Sequence, residues 1–229
     1  MNKTKIALIG NPNVGKSTIF NYLTGLKQHT GNWTGKTVDS CEHAFVYENN
    51  QIQIVDLPGT YSLKSYSEEE VVATNFILKK EYDIAVVIGD ATNLEKSLNL
   101  VLQTLEMTKK VILVVNLIDE ASKNGIVKNS KKLSNLLDIP VVTTDARNGV
   151  GISKLMNEII HYQKESSFIL KYNPLIEEEL TGLNHEERYQ KLKELEKENL
   201  MKDKIIKNTI DTPKRIAKEV VKYTKEDYN

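Results

Sequence analysis

Short apolar runs alternate with polar stretches of helical character along most of the chain. Residues at about 4–9, 40–47, 51–56, 83–89, 111–116 and 140–144 are rich in β-branched and aliphatic side chains and read as strands. Apolar positions recur at helical spacing over about 16–25, 68–79, 93–108, 128–137 and 151–163. Five of the strands alternate with helices, the pattern that closes into a mostly parallel sheet with helices on its faces. Only Glu48-Asn49-Asn50 separates the runs at 40–47 and 51–56, so that pair is expected to form an antiparallel hairpin at one edge. After about residue 165 the pattern changes. From Asn173-Pro174 the chain is dominated by Lys, Glu and Leu, with Tyr189, Leu192 and Leu195 on one helical face and Ile205, Ile206 and Ile210 further on. Asn184 and Asp211-Thr212-Pro213 read as helix starts. The expected architecture is α/β: a six-stranded, mostly parallel unit over residues 1–165, then a small all-helical unit over 166–229. The helical unit is either a simple cap on the sheet domain or a regulatory subdomain.

Composition narrows the class. The 229 residues hold 31 Lys plus Arg and 31 Asp plus Glu, a formal net charge of zero, so no basic excess points to nucleic acid. Cys41 is the only cysteine, which excludes a disulfide framework and a cysteine-based metal site within one chain. His29, His43, His161 and His185 share no i, i+4 spacing, so no histidine-based metal site is legible. No charged n-region and apolar h-region opens the chain, and runs such as Val111–Val115 are far too short to span a bilayer. The chain reads as soluble.

The chemistry lies at the strand ends. Gly10-Asn11-Pro12-Asn13-Val14-Gly15-Lys16-Ser17-Thr18 follows the first strand and opens the first helix as G-x-x-x-x-G-K-S, a phosphate-binding loop. Its backbone N–H groups wrap the terminal phosphates at a helix N-terminus, Lys16 reaches the β/γ-phosphates, and the Ser17 hydroxyl can ligate Mg²⁺. Asp56-Leu57-Pro58-Gly59 is a D-x-x-G turn, placing a carboxylate beside Mg²⁺, through water, and the Gly59 N–H beside the γ-phosphate. Asn116-Leu117-Ile118-Asp119 is N-x-x-D. The Asp119 carboxylate can accept from guanine N1–H and its exocyclic amine, a donor pair adenine lacks. Asp145-Ala146-Arg147 follows the last strand, where a backbone N–H is expected to meet guanine O6. In the segment Gly35-Lys36-Thr37, Thr37 would supply a hydroxyl to Mg²⁺ and an N–H to the γ-phosphate. Asn13 offers a side-chain carbonyl beside the β/γ-phosphates. The expected catalytic set is Asn13, Lys16, Thr37 and Gly59. Thr60 stands where Ras-like enzymes carry a water-orienting glutamine, so hydrolysis should be slow.

Two stretches make the resemblance specific. Gly31-Asn32-Trp33-Thr34-Gly35-Lys36-Thr37 and Asp56-Leu-Pro-Gly-Thr60-Tyr61-Ser62-Leu63 resemble the cytosolic GTPase domain of the ferrous iron transport protein B family, which carries G-N-W-x-G-x-T and D-L-P-G-T-Y-S-L. Residues 188–199 are similar to that family's R-W-x-x-L-K-L-L-E-x-D stretch. The resemblance implies a K⁺ in the place of an arginine finger, held by Asn13 and by the backbone carbonyls of Gly31 and Trp33. It also implies that the helices slow GDP release, that the chain lies on the cytoplasmic side of a prokaryotic inner membrane, and that nucleotide state is coupled to Fe(II) uptake. The implied partners are GTP and GDP, a transmembrane region beyond residue 229, and small companion iron-transport proteins. Thr34 departs from a frequent proline and Asp145 from the usual serine. The family's transmembrane region is missing, so the chain is expected to be either a cytosolic fragment or a protein without the membrane part. The other class considered is a free-standing, cation-dependent GTPase acting on RNA or ribosomes, which usually appends a basic module not found here.

Overall fold

The computed structural model describes residues 2–25, 41–64 and 67–224. Strand β1 (Lys3–Gly10) leads into helix α1 (Lys16–Thr24), and β2 (Cys41–Tyr47) and β3 (Asn50–Asp56) form the expected hairpin. Its turn places Glu48 and Asn49 at φ 45° and 63°, the left-handed pair that matches strand twist. There follow α2 (Glu68–Lys79), β4 (Ile84–Asp90), α3 (Leu94–Met107), β5 (Val111–Asn116), α4 (Ile118–Lys123), β6 (Ile126–Lys128), α5 (Ser130–Leu137), β7 (Val141–Thr143) and α6 (Ile152–Ile160). The main sheet runs β2-β3-β1-β4-β5-β7 and is parallel except for the β2–β3 edge.

Alternation along the buried strands splits the core into two layers. Ile6, Leu8, Ile54, Val86 and Val114 pack under α1 and α6 with Phe20, Leu155 and Ile159. Ala7, Ile9, Val55, Val87 and Leu113 face the opposite layer, where α3 packs through its own Leu98, Val101 and Leu105. Helix α3 is buried around most of its circumference, Ser97, Gln103 and Thr104 included, because its outer face is covered in turn. The trailing helices α7 (Pro174–Glu179), α8 (His185–Leu195) and α9 (Asn199–Val220) place Ile176, Leu192, Leu195, Ile205, Ile216 and Val220 in the same cluster. Asn173 caps α7, with Pro174 in its first turn, and Asn184 forms a reciprocal capping box with Glu187 on α8.

Three sequence expectations are corrected. Pro213 does not start a helix but sits inside α9, where its buried ring and Ile216, Ala217 and Val220 face the core; burial outweighs the lost backbone hydrogen bond. Ile210 is exposed while Ile205 is buried, since a spacing of five turns a residue off the helical stripe. The trailing segment also ends in a strand, β8 (Val221–Tyr223), which pairs antiparallel with β6 in a separate two-stranded sheet. Three-residue strands carry too little periodicity to be read from sequence.

Candidate nucleotide-binding site

Every motif within the described residues falls at the carboxyl edge of the main sheet, the position where open α/β sheets bind ligands. The phosphate loop Gly10–Thr18 links β1 to α1, and Gly15, at φ +85°, precedes the helix without any side-chain cap. The first N–H groups of α1 are thus left for an anion. A Cβ at Gly15 would lie 2.2 Å from Asn116 Nδ2, so only glycine fits there. Asn13 also adopts a left-handed backbone, φ 65°, and its side chain is exposed at the loop rim. Asn11 is buried, and its Oδ1 finds no donor among the described residues. Pro12 lies against Gly59, whose Cβ position is 3.5 Å from the Pro12 Cα.

Asp56, 2% exposed, ends β3 and is ion-paired with Lys16. Burial pushes its carboxyl above the ordinary carboxylate range, and the Lys16 ammonium draws it back. The lysine expected to hold phosphate and the carboxylate expected to serve Mg²⁺ therefore neutralise each other across the loop. Ser17 Oγ and the Asp56 carboxylate are hard oxygen donors of the kind Mg²⁺ prefers. Leu57 is buried, and its N–H donates to Leu8 O at 3.0 Å. Thr60 is buried too: its N–H donates to Gly10 O at 3.1 Å and its hydroxyl donates to Ser62 O at 2.7 Å. That hydroxyl is held within its own loop, also accepting from the Ser62 N–H at 3.3 Å.

Asn116 is the hub of the base-side loops. Its Nδ2 donates to Val14 O at 2.9 Å, and its Oδ1 accepts from Thr144 Oγ1 at 2.9 Å and from the Ala146 N–H at 3.1 Å. One buried side chain thus ties the phosphate loop, N-x-x-D and the Asp145–Arg147 turn together. Leu117 takes φ 65°, a left-handed conformation costly for a branched side chain, of the kind that clusters at functional sites. It lets Asp119 enter the first turn of α4, where Lys123 stands 3.9 Å from its carboxylate. Arg147 reaches Glu120 at 3.9 Å across the same rim. Asp145 turns its carboxylate back to Asn148, accepting from the Asn148 N–H at 3.4 Å and from Nδ2 at 2.5 Å, so it caps its own loop.

Gly31, Trp33, Gly35, Lys36 and Thr37 lie outside the described residues. The roles of Thr144, Asn148 and Gln103, whose Oε1 accepts from the Leu63 N–H at 2.6 Å, were not anticipated from sequence. Thr144 and Asn148 adjoin a motif, whereas Gln103, forty residues from its partner, left no local signal. Among the described residues, no cluster of His, Cys, Asp and Glu could hold a metal by itself, and no helix is long and apolar enough to cross a membrane.

Comparison with known proteins gives the same picture. The Fe(2+) transporter FeoB of Campylobacter jejuni is 41% identical over 180 residues, covering 77% of this chain but only 29% of that protein. A Porphyromonas gingivalis protein described as a fusion of Fe(2+) transport protein A with Fe(2+) transporter FeoB is 37% identical over 185 residues, 78% of this chain and 22% of its own length. The crystal structure of the cytosolic domain of the T. maritima FeoB iron transporter in its GMPPNP form superposes with a TM-score of 0.84 at 34% identity, over 96% of this chain and all of that one. The family model for ferrous iron transport protein B matches residues 4–159, and the chain belongs to that family.

Proposed function

We propose that this chain is a guanine-nucleotide switch that binds GTP and hydrolyses it slowly as the regulatory module of a membrane Fe(II) transporter. The observation that carries the reading is the Asn116 hub, which brings a phosphate loop, an N-x-x-D carboxylate and the Asp145–Arg147 turn to one edge of the sheet. Lys16, the uncapped α1 N-terminus and the backbone of residues 10–18 bind the phosphates. Asp119 reads the guanine edge, Ala146 N–H meets O6, and Gly59 with Thr37 senses the γ-phosphate. Ser17, Thr37 and Asp56, the last through water, would hold Mg²⁺, which would neutralise phosphate charge. For Lys16 to engage phosphate it must leave Asp56, which frees that carboxylate for the metal. Asn13, with the carbonyls of Gly31 and Trp33, would hold K⁺, which would supply positive charge beside the phosphates.

Residues 1–165 form the nucleotide-binding unit and 166–229 the helical unit. The latter restrains the loops that must open for GDP to leave. The relatives' names, Fe(2+) transporter and a fusion with Fe(2+) transport protein A, support coupling to Fe(II) transport and to a companion protein. The test is single-turnover GTP hydrolysis with Mg²⁺ in K⁺ or Na⁺. K⁺ should accelerate the parent severalfold and leave Asn13→Ala unaffected; equal parent rates in both salts would remove K⁺ from the reading.

A further inference from the structure

The guanine-reading loop is tied to the far end of the chain. After Asp119, α4 runs without interruption through the backbone bonds Asn124 N–H to Glu120 O, 3.1 Å, and Gly125 N–H to Ser122 O, 3.0 Å, and passes directly into β6. Along β6 lies β8, in the register Ile126–Tyr223, Val127–Lys222, Lys128–Val221. The pairing is extended at both ends: the Asn129 N–H donates to Val220 O at 2.9 Å, and the Thr224 N–H donates to Gly125 O at 2.8 Å, with the Thr224 hydroxyl on the same carbonyl at 3.1 Å. Gly125 takes φ +64°, and a Cβ there would meet Thr224 Oγ1 at 2.9 Å and Thr224 O at 3.0 Å, so the last described residue of the chain packs onto the hinge between α4 and β6. An ion pair between Lys132 and Glu219, 3.4 Å, anchors the end of α9 to the adjoining helix α5. The Lys128 Nζ is buried with no hydrogen-bond partner among the described residues, and the anion it feels is Asp90, the β4 residue paired with Asn116. The C-terminal strand therefore bears on the N-x-x-D loop by two routes, through α4 to Asp119 and beneath the ribbon toward the strand ends that carry Asn116.

We infer that Val221–Thr224 is a positioning element for guanine selection: zipped onto residues 125–129, it holds α4 at the angle at which the Asp119 carboxylate meets the base. This rests on the guanine reading above. Anything that peels the strand away should loosen the base contact while sparing the phosphate loop, which hangs on β1 and α1.

Inosine diphosphate isolates that contact, because it lacks the exocyclic amine that Asp119 accepts from and is otherwise like GDP. The experiment is calorimetric titration of the full chain with GDP and inosine diphosphate for the parent, Gly125→Ala, Thr224→Pro and Thr224→Ser. Gly125→Ala pushes on Thr224 from one side. Thr224→Pro removes the N–H that bonds Gly125 O and leaves residue 125 native; its proline also favours an extended Tyr223, as the strand already requires. In the parent, GDP should bind more tightly, and the ratio Kd(inosine diphosphate)/Kd(GDP) should fall about threefold or more in both disruptive variants, part of the roughly tenfold or greater effect of a hydrogen bond to a charged group. Thr224→Ser, which keeps both donors, should retain the parental ratio. General destabilisation would weaken both nucleotides together and leave the ratio alone, so an unchanged ratio in folded Gly125→Ala and Thr224→Pro would overturn the proposal while guanine reading stood. A parent that binds the two nucleotides equally would overturn both.

Discussion

Glu106 ties the stability of the chain to pH in the physiological range. It lies on α3 where that helix meets the trailing segment, accepts a hydrogen bond from the Tyr172 hydroxyl, and shares its surroundings with Glu196, Lys64 and Lys193. Burial pushes its carboxyl from 4.5 up to about 7, against the opposing pull of Tyr172 and the two lysines, with Glu196 adding to the rise. The folded state therefore holds a proton that the unfolded chain has already released between these two values. The stability contributed is fully present below pH 4.5 and lost as pH rises through 7. At about 1.4 kcal/mol per pH unit, the interval amounts to ~3 kcal/mol as an upper bound. Glu106→Gln keeps the size of the side chain and an acceptor for Tyr172 but cannot ionise. The variant should match the parent near pH 5 and be more stable by ~2–3 kcal/mol at pH 8. Urea unfolding followed by far-ultraviolet circular dichroism at half-unit steps from pH 5 to 8 reads this directly. Taking the difference between the two proteins cancels the titrations they share. Parallel stability curves would refute the assignment of a raised carboxyl to this interface.

Gly15→Ala should cost ~2 kcal/mol or more of stability and abolish GDP binding, because φ +85° and the Asn116 amide both exclude a Cβ; a thermal melt with and without GDP checks it, and a normal GDP-induced shift would contradict the geometry. Leu192→Ala should destabilise by ~2–4 kcal/mol and speed GDP release, since Leu192 is buried in the cluster that joins α8 to α3. Stopped-flow release of a fluorescent GDP analogue measures the second effect, and an unchanged off-rate in a measurably destabilised variant would leave the helices as a mere cap.

The motifs were legible because each is short, local and bound to a strand end: a loop that wraps phosphate needs its glycines and lysine at fixed spacing whatever surrounds it. The unbroken apolar run Ile6-Ala7-Leu8-Ile9 likewise marked a strand, and the structure covers both its faces, Ile6 and Leu8 in one layer and Ala7 and Ile9 in the other. What was not legible depends on contacts between distant residues. Nothing near Pro213 reveals that α3 waits to bury it, so a proline after Asp-Thr read as a beginning when it was the middle of α9. β6 and β8, with 92 residues between Lys128 and the start of its partner strand at Val221, are recognisable only once paired. The Lys16–Asp56 pair was hidden for a different reason. Each residue was assigned to a ligand, and it is their attraction across the loop that shapes the site described here.

The central claim is that Asp119 selects guanine. The most direct measurement is calorimetric titration of the parent and of Asp119→Asn with GDP, ADP and xanthosine diphosphate in Mg²⁺. The account predicts that the parent binds GDP and not ADP, whereas Asp119→Asn loses GDP affinity by ~10-fold or more and gains xanthosine diphosphate, whose exocyclic oxygen accepts from the new amide. Equal affinity of the parent for GDP and ADP, or a variant whose base preference is unchanged, would contradict it.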